Sequence, residues 1–197
     1  MDRTEKMRAI RDQVVDLKAS PLYAFRVENA YHPVIGQGNH YARVMFIGEA
    51  PGESEAKTGR PFCGRSGKML DELLNSIGMS REDVYITNIV KDRPPANRDP
   101  HQSEIDLYAP FLVEQINIIQ PEVIATLGRF SMEFVLNLFH APQAKGKISQ
   151  LRGQRIPVET AYGKSLVVPL YHPAVGLYRG DQKATLFEDF KTLADFS

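Results

Sequence analysis

Residues 44–67 read VMFIGEAPGESEAKTGRPFCGRSG, and their reading decides the fold. Val44 to Ile47 are continuously apolar and β-prone, the pattern of a buried strand, and Gly48, Pro51 and Gly52 end it abruptly. The loop that follows carries Glu49, Glu53, Glu55, Phe62 and Arg65. Open α/β sheets collect ligands outside the carboxyl ends of their strands, so chemistry is expected at this strand end.

Strands and helices alternate outward from it. Residues 66–77 repeat Met69, Leu70, Leu73, Leu74 and Ile77 on one helical face and close at Gly78, with Ser80 and Asp83 marking a capped turn. VYITNIV at 84–90 is a second strand that runs into KDRPPANRDP, a rigid, turn-rich loop. Residues 103–120 read as a helix capped by Ser103, with Ile105, Leu107, Phe111, Leu112, Ile116 and Ile119 on its apolar face and Pro121 as its stop. VIATLG at 123–128 is a third strand, followed by a helix over about 130–139. A glycine-containing basic loop at 141–153 precedes 156–158 and 165–170, which read as hairpin arms around Tyr162-Gly163; the second arm delivers Tyr171-His172-Pro173-Ala174. A last helix is expected over about 181–194. Upstream, Met7, Ile10, Val14, Val15 and Leu17 suit an amphipathic helix over about 4–18, and 20–40 reads as an irregular loop. This order predicts an α/β fold, a three-layer α/β/α sandwich around a parallel sheet, as a single domain over residues 1–197. The loops 48–67, 91–100 and 172–179 follow strand ends and should converge on one rim.

The totals exclude several classes. The 197 residues are enough to bury a core without staples, and 43% hydrophobic residues is ordinary for a globular protein. No apolar run approaches a membrane span, and the opening MDRTEKMRAIRDQVVDLK has no signal-peptide core, so no membrane partner and a cytoplasmic location are expected. The single cysteine, Cys63, excludes an intramolecular disulfide and any multi-cysteine metal site built by this chain alone. With 24 basic and 24 acidic side chains, a nucleic-acid partner would have to be held by a local patch. The sequence leaves the oligomeric state open.

Individual residues carry chemistry with a bland reading beside each. Glu49 after a strand can take a proton from water or steady a cation, yet a lone glutamate is more often solvated surface. Phe62 in its loop is a stacking platform or a core plug. Asn88 closes a strand with a carboxamide that can read the polar edge of a base, or simply forms a turn. His172 at another strand end can donate a hydrogen bond to an oxygen gaining charge, or be structural. Arg93, Arg98, Lys145, Lys147 and Arg152 suit phosphates, although loop cations are usually only solvated. The Gly48 to Gly52 spacing is neither a dinucleotide fingerprint nor a Walker loop.

Taken together, GEAPGESE at 48–55, GRPFCGRSGKMLDELL at 59–74, YITNIVKDRPPANRDP at 85–100, PEVIATLG at 121–128 and YHPAVGLYR at 171–179 resemble the uracil-DNA glycosylase superfamily, in particular its family 4 branch. The likeness spans nearly the whole chain from Ser20 onward. It implies a four-stranded parallel sheet covered on both faces, and hydrolysis of the bond between uracil and deoxyribose after the base is flipped out of DNA. By the same resemblance, Glu49 positions or activates water, the backbone at Ala50 meets the base, Phe62 stacks on it, Asn88 reads its edge and His172 supports the charge leaving on it. Glu55 and Asn97 match further positions of the motif, and Leu177, Tyr178 and Arg179 sit where the family inserts a wedge into the duplex.

Family members usually hold a four-iron four-sulfur cluster on four cysteines. Those places fall here on Leu17, Ser20, Asp92 and Tyr108, so no cluster and no other cofactor or metal is expected. The partner expected is DNA containing uracil or another deaminated base. Two other readings stay open: a nucleic-acid-binding member of the fold that has lost activity, and a glycosylase for another deaminated base such as hypoxanthine or xanthine.

Overall fold

The computed structural model describes residues 2–178 and 180–197. Among them a six-stranded sheet runs in the order β1-β3-β2-β4-β6-β5. Its centre is β2 (Val44–Gly48), β3 (Tyr85–Asn88) and β4 (Val123–Leu127), each buried along its whole length. Strands covered on both faces need no polar alternation, which is why these segments read as unbroken apolar runs. β6 (Gly163–Leu170) joins them in parallel, with Phe46 level with Ile86 and Ala125, and Ala125 level with Val168. The expected four parallel strands are therefore the core. A short antiparallel strand extends each edge: β1 (Gln37–Gly38) beside β3, and β5 (Ile156–Thr160) as the other arm of the β6 hairpin.

Alternation within each strand sorts the core into two layers. Met45, Ile47, Ile124 and Val167 face one way, packing with α1 (Arg3–Val15), α5 (Gln102–Ile119) and α6 (Arg129–Leu138) through Ile10, Leu112, Ile116 and Val135. Phe46, Ile86, Ala125 and Val168 face the other way, toward Leu70 and Leu73 of α4 (Arg65–Ser76) and Phe190 of α9 (Gly180–Phe190). Phe46 stacks on Phe190 with ring centroids 5.8 Å apart.

The irregular loop expected over 20–40 instead contains α2 (Tyr23–Glu28) and β1. α2 buries an arginine, Arg26, so it lacks the apolar periodicity that marks a helix. The loop after β2 likewise holds a short helix, α3 (Glu53–Thr58), which buries only Ala56. Two further one-turn helices are α7 (Ile148–Leu151) and α8 (Val175–Tyr178).

Arg26 is the centre of a buried polar clip. Its Nη1 donates to both Asp92 carboxylate oxygens at 3.1 Å and to the Val14 carbonyl at 3.2 Å, and its Nη2 donates to the Val15 carbonyl at 2.5 Å. Tyr108 in α5 donates its hydroxyl to Asp92 Oδ2 at 2.5 Å and lies 2.8 Å from Ser20 Oγ. The clip thus ties the end of α1, α2, the proline-rich loop and α5 together, and gives the orphaned carbonyls of α1 a donor. Removing one partner of a buried ion pair leaves the other uncompensated. Asp92→Ala is expected to lower unfolding free energy by about 3–5 kcal/mol, and Tyr108→Phe by about 1–2 kcal/mol, both measured by urea denaturation. Equal, negligible losses would show that packing alone holds this corner.

Candidate functional site

The carboxyl ends of β2, β3 and β6 open onto a cavity of about 420 Å³. Glu49, Ala50, Glu55, Phe62, Asn88, Asn97, Arg98 and His172, all singled out in the sequence, line it. The three strand-end loops do meet on one rim.

Close approach at the strand ends requires glycine at position 48. A Cβ there would stand 2.3 Å from Asn88 Oδ1 and 2.9 Å from the Phe62 ring. Asn88 is 2% exposed, and among the described residues its carboxamide has no hydrogen-bond partner, so its donors and acceptor remain available to the cavity it lines. The turn carrying Glu49 is joined to the end of β3 by Ile89 N donating to the Gly48 carbonyl and Val90 N to the Glu49 carbonyl, each at 3.0 Å.

Phe62 has a left-handed backbone, φ 48°, unusual for a bulky residue and held by its surroundings. The Arg81 guanidinium donates to the Phe62 carbonyl and, at 3.0 Å, to that of Pro61. Glu55 Oε1 accepts from Cys63 N at 3.1 Å and from Gly64 N at 3.0 Å, linking α3 to the start of α4. Gly67 leaves room for the Phe62 carbonyl, which a Cβ would overlap at 1.7 Å. So fixed, the ring lies 5.6 Å from that of His172. Cys63 is half-buried, with its Sγ 3.2 Å from Thr58 Oγ1.

His172 accepts from Ala174 N through Nδ1 at 3.2 Å. That leaves the proton of the neutral ring on Nε2. Burial lowers its pKa, against a weaker upward push from Glu55, so the neutral donor form prevails at pH 7. Glu49 moves the other way: burial first, then the charge of Asp99, raise its pKa to about 7, while Arg129 opposes them. The cavity is therefore lined by both a neutral imidazole and a carboxyl poised near neutrality, groups suited to acid–base or charge-stabilising chemistry.

Three contributors escaped the sequence reading. Asp99 and Ser66 line the cavity, and Arg129 acts on Glu49 from the start of α6. Asp99 stood in view inside ANRDP, but a carboxylate reveals itself as a neighbour of Glu49 only once the loop is folded over the strand end.

The cations expected at phosphates sit otherwise. Arg93 is turned inward, donating to Asn97 Oδ1 and to the Tyr31 hydroxyl, both at 2.8 Å, and lying 3.8 Å from Glu53. Arg98 forks onto Glu104 at 2.9 and 2.6 Å. Both shape the loop that places Asn97, itself left-handed at φ 52°. Arg152 pairs with Asp189 at 2.5 Å, away from the cavity lining, and Lys145 and Lys147 also lie outside that lining. Leu177 packs on the core, whereas Tyr178 is 74% exposed with Arg65 over its ring at 6.0 Å. Arg179 lies outside the described residues.

Residues 35–193 match the model of the uracil DNA glycosylase superfamily. The chain belongs to that superfamily. It is 40% identical to the type-4 uracil-DNA glycosylase of Sulfurisphaera tokodaii over 198 residues, 100% of this chain and 86% of the relative. Against the type-4 uracil-DNA glycosylase of Archaeoglobus fulgidus it is 45% identical over 162 residues, covering 82% of this chain and 80% of the relative. The type-4 enzyme of Thermotoga maritima is 42% identical over 172 residues, 87% and 83% of the two chains.

The charges around Glu49 make a direct measurement possible. Carbon-detected NMR of the Glu49 carboxyl should give a titration midpoint of about 7. Asp99→Asn should lower that midpoint and Arg129→Gln should raise it; a midpoint in the ordinary glutamate range would mean that water reaches the carboxyl freely.

Proposed function

We propose that the protein is a monofunctional DNA glycosylase that hydrolyses the N-glycosidic bond of uracil in DNA, acting on a flipped base. The observation that carries this reading is the convergence of Glu49, Phe62, Asn88 and His172 on one cavity at the strand ends. The relatives' names support it.

The chemistry follows from the residues. Leaving the stack costs the base about a few kcal/mol, which stacking on Phe62 and hydrogen bonds to the Asn88 carboxamide offset. Uracil presents an N3–H between two carbonyl oxygens, and a carboxamide supplies both an acceptor and donors for that edge. As the glycosidic bond stretches, negative charge gathers on the uracil O2 and positive charge on the sugar. The Nε2 proton of a neutral His172 meets the first, and an ionised Glu49 steadies the second and takes a proton from the attacking water. Among the described residues no lysine lines the cavity, so a Schiff-base lyase route has no lysine nucleophile there. Tyr178, exposed and backed by Arg65, is our candidate for the group that fills the space left in the duplex.

The reading includes catalysis without an iron–sulfur cluster, by one domain over residues 1–197 working in the cytoplasm on its DNA. Ser20, Asp92 and Tyr108 do not fit a cluster: none is a thiol, and their oxygens are joined to one another, with Asp92 further engaged by Arg26. The clip offers in their place the connection between the amino-terminal helices and the proline-rich loop.

Two measurements test the proposal. A uracil-containing oligonucleotide should yield free uracil and an alkali-labile abasic site, and iron chelators should leave the rate unchanged; no release from single- or double-stranded substrate at high enzyme sinks the reading, and release of hypoxanthine or xanthine instead would move it to another base. Second, the single-turnover rate should rise with pH through about 7, because the carboxylate of Glu49 is the working form. Glu49→Gln should lose that rise together with most of the rate, roughly 10²-fold or more.

A further inference from the structure

Four of the buried charged side chains pair with an opposite charge. Arg26 has Asp92, Glu104 has Arg98 and Asp189 has Arg152. Lys91 is fully buried and, among the described residues, has no carboxylate partner. Its Nζ instead donates to Gln115 Oε1 at 2.6 Å, to the Asn88 carbonyl at 2.7 Å and to Thr87 Oγ1 at 2.8 Å.

The orientation of this cage is fixed from outside. Thr87 gives its own hydroxyl proton to the Ile35 carbonyl at 2.7 Å, leaving a lone pair for Lys91. Gln115 spends Nε2 on the Ile35 carbonyl at 2.9 Å and on the Tyr85 hydroxyl at 3.2 Å, which aims Oε1 at Lys91. Three acceptors around one nitrogen match three ammonium protons and would set a lone pair of the neutral amine against an oxygen. Burial pushes the lysine pKa well down, whereas three acceptors within hydrogen-bond distance of Nζ favour the protonated form. A buried unpaired cation is costly and is not needed to build a sheet, so its place in the molecule calls for a reason.

That place is the end of β3. The carbonyl gripped by Lys91 belongs to Asn88, whose carboxamide lines the cavity, and the next two residues carry the backbone bonds to Gly48 and Glu49. Lys91 in turn accepts from Val34 N through its own carbonyl at 2.7 Å, which anchors the grip to the chain leading into β1. We propose that Lys91 is a positioning residue for the base pocket, its buried ammonium locking the main chain of Asn88 so that the carboxamide meets the flipped base in one fixed place. The inference rests on the glycosylase reading above. Small displacements of a positioned group slow a reaction by about 10²-fold without abolishing binding.

The test is a double-mutant cycle on the full-length protein with uracil-containing DNA under single-turnover conditions. Lys91→Met, of similar length and without charge, should cut the excision rate by about 10²-fold while the thermal midpoint and the affinity for abasic DNA stay near wild type. In the Asn88→Ala background the same substitution should change the rate by less than about threefold, because its route to the base is gone. Should Lys91→Met fail to fold, Thr87→Val removes one acceptor isosterically and should show the same split on a smaller scale. Rates within about threefold of wild type for the folded variants, or full additivity with Asn88→Ala, overturn the inference. A wild-type protein that releases no uracil overturns the glycosylase reading and the inference with it; an active wild type with an unaffected Lys91→Met overturns the inference alone.

Discussion

The site depends on how closely three chain segments can approach at the end of β2. Parallel strands hold Gly48 level with Asn88, and the missing side chain at Gly48 lets the Asn88 carboxamide and the Phe62 ring occupy the space a Cβ would take. A second such approach, Gly67 against the Phe62 carbonyl, sets how α4 leaves the loop. Rigid strands supply the first coordinate and the glycines supply the clearance. Hydrogen bonds donated by Arg81 and accepted by Glu55 then hold the strained Phe62 backbone that the arrangement demands.

Holding that rim in place falls to polar networks in the interior. The proline-rich loop contributes Asn97, Arg98 and Asp99 to the cavity, yet of its residues only Lys91, Asp92 and Pro94 are buried. At its near end Asp92 is fastened by Arg26 and Tyr108, and at its far end Arg98 is forked onto Glu104, whose other bond caps α5 at His101 N. Buried networks of this kind cost desolvation and return geometric definition when every member is satisfied. Here they define a loop that hydrophobic packing alone would leave loose, and Ser20, Asp92 and Tyr108 are used for it or lie against it.

The parts legible in the sequence were those governed by periodicity. β2, β3 and β4 appear as apolar runs because both faces are covered, and α4 and α5 appear through their one apolar face. α2 and α3 were unreadable for the opposite reason: one buries an arginine and the other a single alanine, so neither carries a hydrophobic stripe. Within the site, Glu49, Phe62, Asn88 and His172 were visible as chemically apt residues at strand ends. Asp99 and Arg129 were not, because their effect on Glu49 is electrostatic and depends on distance across the fold. Arg93 misled in the same way: a loop arginine looks solvated until Tyr31 and Asn97 are seen to receive it.

The zero net charge takes on meaning once the ion pairs are placed. Arg26, Arg43, Arg81, Arg98, Arg152 and Arg155 are all matched to carboxylates, so much of the basic inventory is spent on internal structure. A protein so neutralised draws little on the long-range attraction by which basic domains gather along DNA. On the function proposed above, its hold on a damaged site would come from short-range terms: stacking on Phe62, the Asn88 amide, and contacts at the rim near Arg65 and Tyr178. Such terms are realised only when a base has left the helix and entered the cavity. On that reading, weak general attraction combined with a closely fitted pocket would shift discrimination toward the flipped state, because the pocket terms act only on an extruded base.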